Sequence, residues 1–393
     1  MKRQDGWSLV ELLVATGIGL SLLACGLAVL GRMQVSFTDE AERADMQQRL
    51  RVASDELSRR LIMAGAGASQ GTFLGPLNGY LPGVVPFRQG ASGADTAGSF
   101  KTDVLSILFV PAATAAQTTL RQPAPAQSGS ISINQDPGCS PGDQACGFSA
   151  GSSVLIFDET GAYDTFRVTS AQPGVLQLQH TMTDTGFVYA AGSKIVEASS
   201  HTYYLKTNAG TDTYQLMHYD GAASDAAVAD HVVGLGFEYF GEPFPPALVR
   251  PVTDPIGPWT TYGPRPPPPG TKTSQYPAGE NCVFQLDATG LQHVQRLPVL
   301  GDGSSTTLVP LTAPEITDGP WCPDATSPRR WDADLLRVRK IVVRIRVEAQ
   351  YAALRGPAGP LFSRAGTSRD ANRWLPDQEV RLEISPRNLN AGR

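Results

Sequence analysis

The chain has 393 residues, a net charge of −5 and a charged fraction of 18%, whereas globular domains average about 25%. A net negative charge argues against nucleic acid as the main partner. The 40 glycines and 31 prolines indicate many turns, but 41% hydrophobic residues exclude a wholly disordered chain. The length suffices for one or two domains with buried cores.

The N-terminal region contains the longest apolar segment of the chain. Leu12 to Gly31 are twenty consecutive residues without a charge. As a helix they would span about 30 Å, the thickness of the hydrocarbon core of a bilayer. Lys2 and Arg3 precede the segment and favour a cytoplasmic N-terminus. The sequence therefore predicts one membrane segment at residues 7–31, followed by a large domain outside the cytoplasm.

A carboxylate, Glu11, lies at the N-terminal edge of this segment, and Gly6 precedes it by five residues. A charge at this depth is costly unless it is paired. The block GWSLVELL, residues 6–13, resembles the type IV prepilin signature, with Trp7 where that family usually has Phe. The resemblance implies a leader at residues 1–6, cleavage by prepilin peptidase after Gly6, N-methylation of Trp7 and subunit docking through Glu11.

The spacing of these residues has a physical reason. Cleavage after Gly6 would give Trp7 an α-amino group that is positive near neutral pH. Glu11 follows Trp7 by four residues, about one helical turn or ~6 Å along the axis. A neighbouring subunit can then place its N-terminal amine beside this carboxylate, so that two charges that are costly in lipid neutralise each other.

The same segment allows a second interpretation. Leu22-Leu23-Ala24-Cys25 resembles a lipobox, which would make Cys25 the lipidated first residue of a membrane-anchored lipoprotein or adhesin. Leu23 departs from the small or β-branched residue that is usual there, and the apolar run continues beyond Cys25. We therefore prefer the prepilin interpretation.

The helical pattern continues beyond the membrane segment. Apolar residues recur every three or four positions, and residues of opposite charge lie four positions apart, where they can pair on the helix surface. Gly65 and Gly67 are predicted to end the helix. The pattern predicts one helix from Trp7 to Ala64, about 87 Å long, with an amphipathic half at residues 32–65; a coiled coil over residues 40–64 is the alternative. The apolar face is Met46, Leu50, Ala53, Leu57, Leu61 and Ala64, and the ion pairs are Asp39–Arg43, Asp45–Arg49, Asp55–Arg59 and Glu56–Arg60.

Two further segments resemble one particular group within the prepilin family. Leu57–Gly65 is similar to a run in PilW-type minor pilins, with Arg60 where that family has Asp, and Val380–Asn388 resembles their last strand. The resemblance implies a minor pilin that primes assembly in or at the tip of a type IV pilus and supports adhesion, twitching motility or DNA uptake. Its partners would be other minor and major pilins, prepilin peptidase, the inner-membrane assembly platform and membrane lipid.

The implied location is the inner membrane, with a single span and a periplasmic head, and later the pilus at the cell surface. A type II secretion pseudopilin is the alternative, because it uses the same N-terminal chemistry. The large head and the Leu57–Gly65 run favour the pilus.

The head, residues 66–393, is predicted to be rich in antiparallel strands separated by turn residues. The fold class is therefore α+β and pilin-like, with the long helix packed on the sheet and with large insertions at residues 111–150 and 241–281. The second insertion is dense in proline and contains Pro266–Pro269. The predicted strands are Val104–Val110, Ser153–Asp158, Asp164–Thr169, Val175–His180, Thr202–Lys206, Thr213–Tyr219, Val232–Phe240, Val283–Asp287, Lys340–Glu348 and Val380–Ser385.

Four cysteines lie in the head: Cys139, Cys146, Cys282 and Cys322. An even number in an exported domain favours disulfides, and four cysteines allow three pairings. We expect a disulfide between Cys139 and Cys146, because Pro141 and Gly142 let the short loop turn back. The two remaining cysteines, Cys282 and Cys322, would then form the second disulfide. No zinc-ligand spacing accompanies them, so no metal is predicted.

The sequence does not indicate an enzyme or a cofactor. Gly147 to Gly151 fits the G-x-S-x-G pattern around Ser149, but a strand-like run follows where a nucleophile elbow needs a helix. Asp302-Gly303 and the pair Asp332 and Asp334 lack the pattern of a metal loop. The histidines are scattered along the chain at positions His180, His201, His218, His231 and His293.

Overall fold

The computed structural model describes most of the chain beyond the N-terminal leader. Gly6, Trp7, Cys282 and residues 246–281 of the proline-rich region lie outside the described residues. The described residues are 8–68, 75–86, 103–112, 115–125, 128–136, 139, 142–158, 161–179, 188–208, 210–221, 225–245, 284–286, 293–301, 307–312, 314–323 and 330–390.

One α-helix is followed by many strands. The helix, α1, is Leu9–Met63, and short 3-10 helices lie at Leu77–Gly79, Pro314–Ile316, Ala333–Arg337, Ala352–Leu354, Ala371–Arg373 and Asn388–Asn390. The strands are β1 Val84–Pro86, β2 Val104–Phe109, β3 Gln117–Thr119, β4 Ala124–Pro125, β5 Ser130–Ser132, β6 Ser153–Phe157, β7 Tyr163–Gln172, β8 Val175–Gln179, β9 Val188–Tyr189, β10 Lys194–Glu197, β11 Ser199–Asn208, β12 Thr213–Tyr219, β13 Asp225–Asp230, β14 Val232–Gly241, β15 Phe284–Leu286, β16 His293–Gln295, β17 Val309–Leu311, β18 Trp321–Cys322, β19 Trp331–Asp332, β20 Val338–Val347 and β21 Gln378–Ile384.

The helix ends where its sequence predicts. Gly65 has φ +72°, a left-handed conformation that a residue without a Cβ adopts readily. Its N–H donates to Leu108 O at 2.9 Å, so the end of the helix is joined to β2. A Cβ at Gly83 would come within 2.4 Å of the Gly65 backbone, so the chain at this junction requires two glycines.

The predicted apolar face of the helix is confirmed. Five of its six members have no exposed surface: Met46, Ala53, Leu57, Leu61 and Ala64. Two of the four predicted ion pairs form, Asp45–Arg49 and Glu56–Arg60, whereas Asp39–Arg43 and Asp55–Arg59 do not pair within the described part of the helix.

The chain divides into two compact units, Met1–Arg49 with Val347–Gln378, and Leu50–Arg346 with Glu379–Arg393. In the first unit, helix residues are joined to the segment after β20 by polar contacts. Glu42 accepts a hydrogen bond from Gln350 N at 2.6 Å and pairs with Arg49, whose guanidinium donates to Glu348 O at 3.2 Å. These contacts attach the segment to the helix.

The carboxylate of Glu348 lies at the centre of the first unit. It has no exposed surface and receives hydrogen bonds from Arg355 at 2.5 Å and from Arg364, which contacts both carboxylate oxygens. Phe362 packs edge-on against Trp374 nearby, with ring centroids 5.6 Å apart. Losing one arginine would leave a buried charge incompletely paired, which is strongly destabilising.

The second unit contains a five-stranded antiparallel sheet in the order β1-β2-β11-β12-β13. Every side chain of β2 is buried, and β11 pairs with β2 and β12 in a continuous register, with Tyr203 opposite Leu105 and His218. The C-terminal half of α1 lies against this sheet, because the Tyr203 hydroxyl contacts Glu56 at 2.8 Å. Strand β14 also contacts β2, β11 and β12 of this sheet.

Between β2 and β11 the chain forms a separate layer, residues 115–197. Its strands follow the order β3-β10-β6-β7-β8-β5. Beyond β3 and β5, Arg121 N donates to Ser132 O and Asn134 N to Thr119 O, so the two edges join and the sheet closes into a barrel. An interior of sixteen buried residues, which include Leu120, Val154, Phe166 and Leu176, gives the barrel its own core.

The remaining strands form a four-stranded sheet in the order β17-β14-β20-β21 and three two-stranded pairs, β15-β16, β18-β19 and β4-β9. On the four-stranded sheet, Arg344 pairs with Glu238 at 2.7 Å and Arg339 with Glu242 at 3.0 Å. The structure thus has an apolar N-terminal helix and a β-rich antiparallel head, in agreement with the α+β class.

All ten predicted strands are present, and their described ends differ from the prediction by a few residues; His180, Val283 and Asp287, at predicted strand ends, lie outside the described residues. Residues 111–150, expected to be an inserted loop region, instead contribute β3, β4 and β5, of which β3 and β5 belong to the barrel. These strands have two or three residues each, too few for an alternating pattern to show in the sequence.

The buried helix face should dominate the stability of the second unit. Leu57→Ala is expected to lower the free energy of unfolding by about 2–5 kcal/mol, because it leaves a cavity under a fully buried side chain. Ile62→Ala on the same helix is the control: Ile62 is 48% exposed, so its loss should cost less than about 1 kcal/mol. Chemical denaturation of the full chain in detergent measures both; equal effects would contradict the packing.

Candidate functional site

The first turn of the helix contains a reciprocal pair of hydrogen bonds between Ser8 and Glu11. Ser8 N donates to Glu11 Oε2 at 2.9 Å, and Glu11 N donates to Ser8 Oγ at 3.2 Å. This is a capping box, which satisfies two of the amide groups that a helix leaves free at its start. Glu11, predicted to be the docking carboxylate, is thus held at the N-terminal end of the bare apolar segment. Gly6 and Trp7, its predicted partners in processing, lie outside the described residues.

The segment that follows Glu11 has no partner within the described chain. Leu9–Leu30 is long and apolar enough to cross a membrane, and none of it is buried. Large side chains such as Leu9, Leu20 and Leu27 are exposed by about two thirds or more. A long exposed apolar helix near the N-terminus is typical of a membrane anchor or a signal sequence.

The polar side chains within this segment are satisfied by their own helix. Thr16 Oγ1 donates to Leu12 O at 2.9 Å, and Ser21 Oγ donates to Gly17 O at 2.8 Å. Hydroxyl groups bonded in this way can enter an apolar environment at little cost. A Cβ at Gly17, Gly19 or Gly26 would meet no atom within 4 Å, so packing within the described chain does not require these glycines.

Cys25 lies on the surface of the same helix as a free thiol. The helix continues through it without interruption to Met63.

The predicted disulfide between Cys139 and Cys146 is present, with a Cα–Cα distance of 4.5 Å. Cys146 is buried within the barrel core, and Cys139 packs against it. Cys322 is also disulfide-bonded, and Cys282, its predicted partner, lies outside the described residues. A disulfide indicates an oxidising compartment.

A polar cluster lies between the helix and the five-stranded sheet. Glu56 Oε1 accepts hydrogen bonds from the Tyr203 hydroxyl at 2.8 Å and from Arg60 Nε at 3.1 Å. Tyr203 has no exposed surface. Burial by itself raises the pKa of Glu56, but the hydrogen bonds from Tyr203 and Arg60 outweigh it, so the pKa lies below its ordinary value.

Two of the histidines that are scattered along the sequence lie together beside this cluster. His201 Nδ1 and His218 Nε2 are 2.7 Å apart, and the centroid of the His218 ring is 5.0 Å from that of Tyr203. The positions lie on β11 and β12 and are seventeen residues apart, so only the hairpin register brings them together. Phe109 of β2 stacks on the other side of His201, with centroids 5.4 Å apart.

The surroundings favour the neutral form of both rings. Burial and then the charge of Arg60 lower the pKa of His201 to about 4. Burial also lowers the pKa of His218, with Arg60 acting in the same direction and Glu56 opposing it. At neutral pH the pair therefore shares one hydrogen bond and has no charge.

A second group of titratable residues brings together Asp318, Asp332 and Asp334, with carboxylate oxygens within 4.8 Å of one another. Asp332 accepts hydrogen bonds from Gly319 N at 2.7 Å and Asp334 N at 2.9 Å, and Asp334 pairs with buried Arg337. Burial raises the pKa of Asp332 to about 7 and that of Asp334 to about 6. The two buried carboxyl groups thus have partners within the chain.

Ser149, the serine of the G-x-S-x-G pattern, lies in a turn before β6. Its hydroxyl is 3.2 Å from that of Ser152, and the chain continues into a strand rather than a helix. The local geometry therefore differs from that of a nucleophile elbow.

Similarity to known proteins does not identify the family. Comparison with the models of known protein families and with curated proteins finds no match to this chain. Its function is therefore inferred from its own residues.

The contact between Tyr203 and Glu56 should stabilise the helix on the sheet. Tyr203→Phe removes one hydrogen bond to a charged acceptor and should lower the free energy of unfolding by about 1.5–3 kcal/mol. Tyr204→Phe is the matched control, because its hydroxyl contacts Asp225 in an exposed pair and its loss should cost less than about 1 kcal/mol. If the two variants unfold alike, the buried hydrogen bond does not have this role.

Proposed function

We propose that this protein is a minor pilin of a type IV pilus, resembling the PilW type, that primes or initiates assembly in or at the tip of the fibre. In this proposal it is processed after Gly6, methylated at Trp7 and held in the inner membrane by residues 7–31, with its head in the periplasm. It then joins the pilus with other minor and major pilins. Adhesion, twitching motility or DNA uptake would depend on it indirectly.

The observation that carries the proposal is the position of Glu11. Its carboxylate lies in the first turn of a helix whose next 19 residues, up to Leu30, have no charge and are not buried in the described chain. A membrane anchor can use this carboxylate only to cap its first turn, while the charge costs free energy in lipid. A subunit that docks through a charge pair requires it.

The capping box gives the Glu11 carboxylate a hydrogen-bond partner before docking. In the isolated chain the carboxylate accepts the Ser8 N–H, so it is not without a partner. In a fibre the methylated amine of a neighbouring subunit would offer a full positive charge, which binds a carboxylate more strongly than an amide does. Docking would therefore replace a local hydrogen bond by an ion pair between subunits.

The bare helix supports the same proposal. A membrane helix released into a fibre must exchange lipid for the helices of its neighbours. The open glycine positions, Gly17, Gly19 and Gly26, let backbones approach closely, which is the main source of packing between helices in lipid. The disulfide in the head agrees with a periplasmic or extracellular location.

A type II secretion pseudopilin shares every feature of this N-terminus, so the residues alone do not separate the two machines. The lipoprotein alternative is less well supported, because Leu23 departs from the usual lipobox residue and the apolar run continues beyond Cys25.

Glu11 variants test the proposal in a strain that lacks the gene and carries each variant instead. Glu11→Ala removes both the cap and the charge, Glu11→Gln retains a side chain that can cap but has no charge, and Ser8→Ala retains the charge without the reciprocal cap. We expect normal processing of all three, surface pili near the wild-type number for Ser8→Ala, and pili reduced to the number of the deletion strain for both Glu11 variants.

Counting pili by electron microscopy separates the possible failures. Normal piliation with Glu11→Gln would contradict docking by charge while leaving the pilus role intact. Normal piliation in the deletion strain itself would contradict the pilus role.

A further inference from the structure

The hydrogen bond between His201 and His218 allows only some protonation states. One ring nitrogen must donate a proton and the other must accept it, across 2.7 Å. His201 Nε2 is buried and has no hydrogen-bond partner in the described chain. The arrangement that leaves no donor unsatisfied has His201 protonated at Nδ1 and unprotonated at Nε2, with His218 Nε2 as the acceptor. Both rings are then neutral.

Adding a proton to either histidine places an N–H at the buried His201 Nε2, where it has no acceptor in the described chain. If His201 takes a proton, it must take it at Nε2, which then donates to nothing. If His218 takes a proton at Nε2, that nitrogen becomes a donor, His201 Nδ1 must become the acceptor, and the His201 hydrogen moves to the buried Nε2. Since a buried donor without an acceptor loses its hydration without compensation, both routes disfavour the charged pair.

The charged groups around the pair come from several elements. The helix contributes Arg60, which opposes a positive charge on either ring, and Glu56, which favours it. Asp220, after β12, also favours a charge on both rings, and Asp225 of β13 favours it on His218. The β2 side presents the apolar ring of Phe109. Glu56 is already engaged by Tyr203 and Arg60, so it is not free to pair with a histidine.

We propose that the His201–His218 pair makes the packing of the helix on the five-stranded sheet sensitive to mild acid. Above the ordinary titration range of histidine the pair is neutral and the layer is intact. Below this range the folded pair resists protonation whereas the exposed histidines of an opened layer take up protons, so acid weakens the packing of the helix on the sheet. The proposal concerns the second unit alone and does not depend on a role in the pilus.

The direction of the effect follows from the depressed pKa values. Unfolded histidine takes up its proton near pH 6.5, whereas folded His201 does so at about pH 4, so the unfolded chain binds more protons between these values. The stability of the second unit should therefore fall as the pH decreases from about 6.5 to about 4. Asp332 acts in the opposite direction, because its raised pKa stabilises the folded chain as the pH decreases from about 7 to about 3.8.

His201→Phe separates the two effects. The phenylalanine ring has no nitrogen to protonate, and it leaves the half-buried His218 free to be hydrated, while Asp332 remains unchanged. In thermal unfolding of the full chain in detergent micelles, we expect the wild-type midpoint to fall more than the variant midpoint between pH 7 and pH 5. His231→Asn, in a turn outside the cluster with a positive φ that asparagine tolerates, should retain the wild-type fall.

A direct titration does not require any variant to fold. In nitrogen-resolved NMR spectra of the histidine-labelled wild-type chain, His201 should remain protonated at Nδ1 and unprotonated at Nε2 down to pH 5. An ordinary pKa near 6.5 for both rings, or an equal fall in midpoint for wild type and a folded His201→Phe, would overturn the proposal.

Discussion

The structure depends on one helix that meets two environments. From Leu9 to Leu30 most side chains are apolar and none is buried in the described chain, whereas at Ala53, Leu57 and Leu61 a narrow apolar face is completely buried. In both halves, removal of the apolar surface from water is energetically favourable. The second half achieves this removal against the sheet of its own chain, and the first half can achieve it only against lipid or other chains. This difference is the basis of the proposed membrane location and, with Glu11, of the proposed assembly.

The acidic side chains Glu11 and Glu56 of the helix are both stabilised by hydrogen bonds. At its start the carboxylate of Glu11 accepts the Ser8 amide, and in the second unit Glu56 accepts both Tyr203 and Arg60. The histidine pair differs, because the buried Nε2 of His201 has no acceptor for an added proton among the described residues. A buried charge between the helix and the sheet is tolerated only when it is paired. Acid should therefore destabilise this contact at the histidine pair, where an added proton has no hydrogen-bond acceptor.

Sequence patterns predict the long elements well and the short ones poorly. The apolar repeat from Met46 to Ala64 and Gly65 at its end specify the helix, and alternation identifies ten strands, because both patterns persist over enough residues to be seen. The barrel is missed, since β3 and β5 have three residues each and its closure depends on contacts between distant segments. The histidine pair is missed for a related reason: His201 and His218 meet through hairpin register, and register is set by the fold rather than by spacing. The Cys139–Cys146 loop is predictable because its ends lie within one turn.

The central claim is that the mature chain begins at a new amine beside Glu11. The intact mass of the protein purified from its native membrane tests this most directly. The account predicts the mass of residues 7–393 with its cysteines in disulfides and one added methyl group on Trp7. A mature chain that begins at an acylated Cys25, or one that retains Met1 to Gly6, would contradict it.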